Sequence, residues 1–257
     1  MQRFANRTIL VSGATGGIGE AACLALSAEG ARLALTDLDS TALEALVARL
    51  PGEAVFTAGD IADPKTAESW VTAAVERFGR IDAAFNNAGI EHRLAWLAEI
   101  DEATSRRVLE INVLGVQFAM QAQLAQFLAQ AKQGSQGGAI LNTASVAGVS
   151  GAPKLGTYAA SKHAVVGLSR TAAMEYARFG IRVNTLCPAF IKTRMVMEGI
   201  IKDYATPEEG FAKLASGIPM GRIGEVAETL PAILFALDPA NSFYTGQELC
   251  LDGGMTA

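Results

Sequence analysis

The amino-acid sequence alternates short apolar runs with longer helical patterns along its whole length. Seven of these runs predict strands, at 7–12, 31–36, 54–58, 81–86, 138–143, 181–186 and 247–251. Most of them are almost continuously apolar, as strands are when helices cover both faces of a parallel sheet. Helices are predicted at 17–29, 40–50, 64–78, 101–131, 157–179 and 224–237. The alternation predicts an α/β fold with a doubly wound, seven-stranded parallel sheet and helices on both faces.

The composition is typical of a packed globular protein. Half of the 257 residues are apolar and 18% are charged, so the chain can bury enough apolar surface to offset the entropy of ordering. With 21 basic and 26 acidic residues the net charge is −5, which gives no basic patch for nucleic acid or an anionic membrane. The longest apolar runs, such as 230–237, are far shorter than the ~18 residues of a membrane helix. We expect a cytoplasmic protein with a diffusible small-molecule partner.

Cysteine and histidine are too few for a disulfide framework or a metal site. The three cysteines, Cys23, Cys187 and Cys250, are far apart in the chain, and the histidines are His92 and His163. Neither set has the spacing of metal ligands. We interpret the cysteines as buried structural thiols in a reducing compartment, and we predict no metal.

The loop at 132–138 lies between segments that continue the same alternation, so we predict a single domain. The stretch 190–220 interrupts the alternation, because apolar side chains are mixed there with charges and two prolines. Ligands of open α/β sheets bind beyond the carboxyl ends of the strands. We therefore interpret 190–220 as a substrate lid, with an ordinary packed helix pair as the alternative.

A glycine-rich turn, SGATGGIG at 12–19, joins the first strand to the first helix. Gly13 permits a tight turn, Gly17 lets the backbone approach a pyrophosphate, and Gly19 lets helix and strand pack closely. Ile18 lies at the helix N-terminus, whose free N–H groups favour an anion. The spacing is G-x-x-x-G-x-G, and a purely structural turn is the alternative. The motif predicts a dinucleotide site.

Two acidic residues follow the next strands. Asp37 ends the second strand, 18 residues after Gly19, where an acid accepts hydrogen bonds from both ribose hydroxyls of NAD. A carboxylate there repels the 2′-phosphate of NADP, so NAD is predicted as the preferred cofactor, with a turn cap as the alternative role. Asp60 and Ile61 follow the third strand and are predicted to meet the adenine, although an Asx turn explains Asp60 equally well.

Tyr158 and Lys162 are four residues apart in a predicted helix, so both side chains reach one ligand. A nearby ammonium stabilises a phenolate, which would make Tyr158 a usable acid or base. Ser145 follows the fifth strand, where its hydroxyl could orient a substrate oxygen; a simple turn residue is the alternative. The absence of a G-x-S-x-G elbow argues against a serine hydrolase.

These motifs occur in the order and spacing of one known family. Over essentially its whole length the sequence resembles the short-chain dehydrogenase/reductases, in their compact single-domain branch. The resemblance rests on Gly13, Gly17, Gly19, residues 86–89 (NNAG), Asn112, Ser145, Tyr158, Lys162 and residues 188–193. It implies a single-domain Rossmann fold over residues 1–257.

The resemblance also implies roles around the cofactor. Asn87, Ala88 and Gly89 resemble the segment that steadies the central sheet and lines the adenosine ribose, with a strand-end turn as the alternative. The nicotinamide carboxamide would be bound by the stretch that contains Pro188, Ile191 and Thr193. In this stretch Ala189 replaces the glycine that the family usually has after the proline.

In the catalytic roles that the resemblance implies, Ser145 positions the carbonyl or hydroxyl, Tyr158 transfers a proton, and Lys162 lowers the tyrosine pKa and holds the nicotinamide ribose. Asn112 would kink its helix and hold a water in a proton relay through Lys162. The reaction implied is reversible hydride transfer between nicotinamide and a substrate carbon.

The residues predicted to line the substrate pocket are mostly apolar: His92, Trp96, Val146, Leu155, Phe190, Met195 and Met197. Such a pocket favours a hydrophobic or cyclic secondary alcohol and its ketone over a sugar or a charged acid. Glu91, His92 and Arg93 could meet a polar substituent, with solvated loop charges as the alternative.

The helices at 101–131 and 157–179 are apolar over more than one face, which indicates subunit contacts. The family resemblance implies a homotetramer or a dimer. Two other functions compete with an NAD-dependent alcohol dehydrogenase. One is a 3-oxoacyl-carrier-protein reductase, for which Arg106 and Arg107 could form a docking patch. The other is a catalytically silent dinucleotide-binding regulator.

Overall fold

A computed structural model describes residues 2–135 and 137–257. Within this part of the chain, seven parallel strands form a sheet in the order β3-β2-β1-β4-β5-β6-β7. The strands are β1 Thr8–Ser12, β2 Arg32–Asp37, β3 Ala54–Ala58, β4 Ala83–Asn86, β5 Gly138–Thr143, β6 Ile181–Pro188 and β7 Glu248–Leu251. No strand end differs from its predicted position by more than two residues. The predicted fold class is confirmed.

Helices cover both faces of the sheet. They are α1 Gly17–Ala28, α2 Ser40–Val47, α3 Pro64–Phe78, α4 Glu102–Leu109, α5 Val116–Lys132, α6 Gly156–Tyr176, α7 Arg194–Glu198, α8 Pro207–Ala215 and α9 Leu230–Leu237. Successive side chains of a strand point to opposite faces. In β1, Leu10 therefore packs into the core under α3, α5 and α6, while Ile9 and Val11 pack into the core under α1, α2 and α9. None of the described helices is long and apolar enough to cross a membrane.

The single helix predicted over 101–131 is interrupted in the structure. A π-helical segment, Glu110–Gly115, separates α4 from α5. The wider turn brings the buried Asn112 side chain onto the backbone of Ile90, with which it exchanges two hydrogen bonds of 2.8 Å. Gly115 lies so close to Ile61 that a Cβ there would be 2.8 Å from its Cγ2. Contacts with the strand-end loops therefore set the interruption, which hydrophobic periodicity does not reveal.

The cysteine interpretation needs one correction. Cys23 and Cys187 are buried, and burial raises the pKa of both thiols. Cys250 is exposed, because it lies on β7, at the edge of the sheet. The prediction of three buried thiols is wrong for this residue.

A buried amide network fastens the middle of the sheet to its helices. Asn86 of β4 donates to Gln123 Oε1 of α5 at 3.0 Å and to Asn142 Oδ1 of β5 at 2.8 Å. Gln123 returns a 2.8 Å hydrogen bond to Asn86 Oδ1, and Asn142 donates to Ser169 Oγ of α6 at 2.8 Å. All four residues are buried, so each amide depends on the others for its hydrogen bonds.

Replacing Gln123 by alanine removes one hydrogen bond from Asn86 Nδ2 and one from Asn86 Oδ1. We expect Gln123→Ala to lower the free energy of unfolding by about 1–3 kcal/mol or more, since a buried unsatisfied amide and a cavity add. Gln121→Ala, an exposed position on the same helix, should change it by less than about 0.5 kcal/mol. Urea unfolding at one protein concentration measures both, and equal effects would contradict the role given to the network.

Candidate active site

A cleft of about 700 Å³ lies at the carboxyl ends of the strands. One end of the cleft is the glycine-rich turn, and the other is walled by the segment that contains α7 and α8. In this segment Val196, Ile200 and Leu214 pack with Leu155 in a small third core. The segment thus has the packing of an ordinary helix pair, the alternative interpretation, and it also forms a wall of the cleft.

The glycine turn is built by close backbone approaches. Gly13 has φ +61°, and a Cβ there would lie 2.8 Å from the Cα of Ala88. A Cβ on Gly19 would overlap the carbonyl oxygen of Gly13, so Gly19 allows α1 to start against the turn rather than lining the cleft. The N-cap of α1 is Gly16, which has no side chain to accept from the first-turn N–H groups. These N–H groups and the space left by missing side chains fit a dinucleotide pyrophosphate.

Asp37 lines the cleft beside this turn. Its Oδ2 accepts from the backbone N–H of Thr15 at 2.9 Å and from the Thr15 hydroxyl at 2.6 Å. Its Oδ1 accepts from the N–H of Leu38 at 2.8 Å. The capping role considered as an alternative is present, and it fixes the carboxylate in the wall of the cleft, while the ribose contact stays a prediction.

Asp60 and Ile61 also line the cleft, and Asp60 forms the alternative Asx turn with the N–H of Ala62 at 3.0 Å. Its Oδ2 accepts from Arg107 Nη2 at 2.6 Å. Burial tends to raise the pKa of Asp60, but the Ala62 N–H and Arg107 lower it overall. Arg106 is paired with Glu102 at 2.7 Å. Both arginines are therefore engaged within the protein, which weakens the case for a docking patch for a carrier protein.

The segment after β4 packs directly on the glycine turn. Asn87 donates from Nδ2 to the carbonyl of Gly13 at 3.2 Å, and the Ser12 hydroxyl accepts from the N–H groups of Asn87 and Ala88 at 3.1 and 3.2 Å. Asn87, Ala88 and Gly89 all line the cleft. These contacts join the ends of β1 and β4, so the turn and this segment form one rigid floor.

Asn112 lies behind the cleft and does not line it in the described part of the chain. Besides its two bonds to Ile90, its Nδ2 donates to Ser161 Oγ at 3.0 Å. A Cβ on Gly89 would be 3.2 Å from Asn112 Oδ1 and 3.3 Å from Lys162 Nζ. Gly89 thus leaves a gap that both polar groups face, and the water relay remains a prediction.

The cleft narrows around Ser145, Tyr158 and Lys162, which all line it. Ser145 follows β5, and its hydroxyl accepts from the N–H of Ala147 at 3.1 Å and donates to the carbonyl of Pro188 at 3.4 Å. Lys162 lies one turn after Tyr158 in α6, with Nζ 5.5 Å from the centroid of the tyrosine ring. The ammonium donates to the carbonyl of Thr143 at 2.9 Å. Strand β5 and helix α6 therefore bring the three predicted catalytic side chains together.

Burial dominates the titration of this group. It raises the pKa of Tyr158 above its ordinary value, the nearby Ser145 hydroxyl opposes the rise, and the charge of Glu91 adds to it. Burial lowers the pKa of Lys162 to about 8. The expectation that Lys162 lowers the tyrosine pKa is therefore outweighed by desolvation in the free chain. The phenol is neutral at pH 7, which makes it a proton donor.

The residues predicted to bind the nicotinamide carboxamide, Pro188, Ile191 and Thr193, all line the cleft. Gly17 lines it too, and a Cβ on Gly17 would be 3.4 Å from Thr193 Cγ2. Ile191 forms a backbone bridge with Gly224. Ala189 also lines the cleft, and its N–H donates to the carbonyl of Leu251 at 3.0 Å. Alanine in place of the usual glycine is thus accommodated in an ordinary hydrogen-bonded loop.

Five predicted pocket residues line the far half of the cleft: Trp96, Val146, Leu155, Phe190 and Met195. Within residues 2–135 and 137–257, His92 and Met197 do not line it, and those two predictions are wrong. His92 is buried, with Nδ1 2.8 Å from the carbonyl oxygen of Arg93. Met197 is exposed, and as the second residue after Met195 in α7 it lies on nearly the opposite side of that helix from Met195, which lines the cleft.

Sequence reasoning missed several lining residues: Ile90, Leu94, Ala152, Ile200, Tyr204 and Leu214. Ile200 belongs to the apolar positions of 190–220, and that mixture of apolar and charged residues was the available signal. The others depend on how the loops fold over the cleft, which no local pattern indicates.

A family model described as Enoyl-(Acyl carrier protein) reductase matches residues 13–256. Together with the relatives below, this match shows that the chain belongs to the short-chain dehydrogenase/reductase family, whose members bind a nicotinamide dinucleotide. The protein is therefore an oxidoreductase that acts on CH–OH groups.

Among its relatives, the chain is 40% identical over 258 residues to 2,5-dichloro-2,5-cyclohexadiene-1,4-diol dehydrogenase of Sphingobium indicum, covering 100% of both. It is 34% identical to cyclohexanol dehydrogenase of an Acinetobacter species, over 99% of this chain and 97% of the relative. Of solved structures, levodione reductase superposes with a TM-score of 0.91 at 37% identity, covering 98% of each chain. NAD+-bound xylitol dehydrogenase gives 0.89 at 33% identity, covering 98% of this chain and 99% of the other.

The glycine turn allows a direct test of its backbone geometry. Gly13→Ala forces a side chain into a positive-φ position against Ala88, so we expect the free energy of unfolding to fall by about 1–3 kcal/mol. The matched control is Gly16→Ala, because Gly16 has φ −78° and a Cβ there would be 3.4 Å from its nearest neighbour. Thermal melting of the two variants gives the comparison, and an equal loss in both would argue against the assignment.

Proposed function

We propose that the protein is an NAD(H)-dependent dehydrogenase that interconverts a cyclic or otherwise hydrophobic secondary alcohol and its ketone. The observation that carries this proposal is the arrangement of the cleft. Its ends are the glycine turn with Asp37 and a largely apolar wall, and Ser145, Tyr158 and Lys162 lie between them. Two relatives are named for cyclic alcohols, and one structural neighbour is described with NAD+ bound.

The choice of NAD follows from charge. The carboxylate of Asp37 is held by Thr15 and Leu38 and cannot easily swing away from the cleft. It repels a phosphate on the 2′ position, whereas it accepts hydrogen bonds from ribose hydroxyls.

When bound, the nicotinamide ring accepts or supplies the hydride. In the reduction direction, the neutral Tyr158 phenol donates a proton to the substrate oxygen, and Ser145 orients that oxygen with its hydroxyl. In the oxidation direction the Tyr158 phenolate acts as the base and accepts the proton of the substrate hydroxyl. Lys162, anchored on Thr143, holds its ammonium over the tyrosine ring and stabilises the phenolate as it forms. Asn112 positions the loop after β4 through Ile90.

The far half of the cleft favours the substrate class. Its wall includes Val146, Leu155, Phe190, Met195 and Ile200, so a ring with few polar groups is desolvated there at low cost. In this function the segment 190–220 covers the substrate, and the whole chain acts as one domain.

We also propose that the protein is a cytoplasmic homo-oligomer. Leu109 and Leu114 at the π-helical segment and Met174 on α6 are exposed apolar side chains on the two helices predicted to make subunit contacts. Phe243, close to the edge strand β7, is fully exposed as well. A tetramer or a dimer would cover these side chains.

Cofactor choice is tested at Asp37. Asp37→Ala removes the charge that faces the 2′ position, so we expect the preference for NAD+ over NADP+ to fall by about 10- to 100-fold. Asp37→Asn keeps the size of the side chain and an oxygen that can accept from Thr15, so it separates the effect of charge from the effect of capping. We expect this variant to lose most of the preference for NAD+ but less thermal stability than Asp37→Ala. Steady-state kinetics with both cofactors measure the effect. Unchanged selectivity in both variants would refute the assigned role.

The acid/base is tested at Tyr158. In Tyr158→Phe we expect kcat for cyclohexanol oxidation to fall by about 10²- to 10⁴-fold, while the dissociation constant for NADH stays within a few-fold of wild type. The wild-type kcat/KM for oxidation should rise with pH above 7, because burial raises the pKa of the phenol that must deprotonate.

Tyr176→Phe, at a half-buried tyrosine late in the same helix, is the control and should keep full turnover. Substantial residual activity in Tyr158→Phe would contradict the mechanism. A wild-type protein that binds NADH but turns over no alcohol or ketone would instead favour the silent regulator.

A further inference from the structure

Glu91 is a carboxylate in the wall of the cleft for which the described part of the chain provides no hydrogen-bond partner. It follows β4 by five residues and lies two residues after Gly89 of the cofactor floor. Its Oε1 is buried and unpaired. A buried polar oxygen without a partner costs stability, so its presence needs an explanation outside the packing of the chain.

The surroundings of Glu91 accommodate the carboxylate without neutralising it. Gly199 makes room for it, because a Cβ on that residue would overlap Oε1. The nearby charge that acts most strongly on it is also negative: burial and the charge of Asp203 raise the pKa of Glu91 to about 7. No cation pairs with Glu91 among the residues described.

Several other polar groups near this wall have partners, although the buried Nε2 of His92, next to Glu91 in the chain, has none among the described residues. The Ser150 hydroxyl donates to the carbonyl of Val146 at 2.9 Å. Arg194 lies 3.5 Å from Glu198, and the Lys154 ammonium lies over the Trp96 ring at 5.2 Å. Among the carboxylates that line the cleft, Asp37 and Asp60 are hydrogen-bonded, so Glu91 stands out as the one with a buried oxygen that no described group satisfies.

We propose that Glu91 is a specificity-determining residue, whose carboxyl group turns from Gly199 into the cleft and accepts a hydrogen bond from a second hydroxyl group on a cyclic substrate. The proximity of Glu91 to the reacting end supports this, since its charge acts on Tyr158. This inference rests on the proposed function and narrows it: the preferred substrate is a cyclic diol, of which one hydroxyl is oxidised at Tyr158 while the other binds Glu91. A mono-ol leaves Glu91 unpaired and is a poorer substrate.

The test compares kcat/KM for cyclohexanol with kcat/KM for the 1,2-, 1,3- and 1,4-cyclohexanediols, with NAD+. We expect wild type to favour at least one diol by roughly 10- to 100-fold, beyond the factor that two equivalent hydroxyls give. Glu91→Leu should bring this ratio close to the statistical one, and Glu91→Gln, which keeps an acceptor oxygen, should retain part of it. Glu44→Leu, at an exposed carboxylate on α2, is the control and should keep the wild-type ratio.

Circular dichroism checks that each variant is folded. If Glu91→Leu is not folded, the test is repeated with Glu91→Met, because methionine is unbranched and similar in length to glutamate. A wild-type ratio at the statistical value for every diol would overturn the inference, and so would an unchanged ratio in Glu91→Leu. In both cases turnover of cyclohexanol by wild type would leave the proposed function standing. Failure of wild type to oxidise any of these alcohols would contradict the proposed function, and this inference with it.

Discussion

The amide network between β4 and β5 is the constraint on which the site depends. Asn86 and Asn142 are paired in register, and their side chains bond to each other and to α5 and α6. Directly beyond this pair, β4 delivers the floor of the cofactor site and β5 delivers Ser145, while α6 carries Tyr158 and Lys162. The side chains of the proposed active site therefore lie on strands and a helix that the amide network already holds together.

Local pattern was enough to predict the strands and the glycine turn, and the family resemblance added the roles proposed for Ser145, Tyr158 and Lys162. Apolar runs of strand length identify a buried parallel sheet, and Tyr158 and Lys162 share a helix face through spacing alone. What was missed depends on contacts between distant segments. The π-helical segment depends on the contact between Asn112 and Ile90; hydrophobic pattern did not show it, although the family resemblance implied a kink at Asn112. Arg107 pairs with Asp60, and His92 lies against the backbone of its own loop. Cys250 is exposed only because its strand is at the sheet edge.

The titration of the catalytic group shows two competing effects. Burial makes the Tyr158 phenolate and the Lys162 ammonium both less favourable, since each would carry charge in a poorly solvated cleft. The nearby Ser145 hydroxyl lowers the pKa of the tyrosine and so works in the opposite direction. In the proposed mechanism, a proton held on the phenol in the free chain is ready for transfer to a ketone, and its removal for alcohol oxidation is the harder step.

The two hydrogen bonds from Thr15 to Asp37 matter for any attempt to change the coenzyme preference. Two donors of Thr15 hold the same carboxylate oxygen, so in the proposed function the group that recognises the coenzyme is oriented before the coenzyme binds. An engineer who exchanges the acid for a basic residue would leave the threonine hydroxyl and N–H without their acceptor at the lip of the turn. Conversion to phosphorylated-coenzyme use therefore calls for coordinated replacement at both positions.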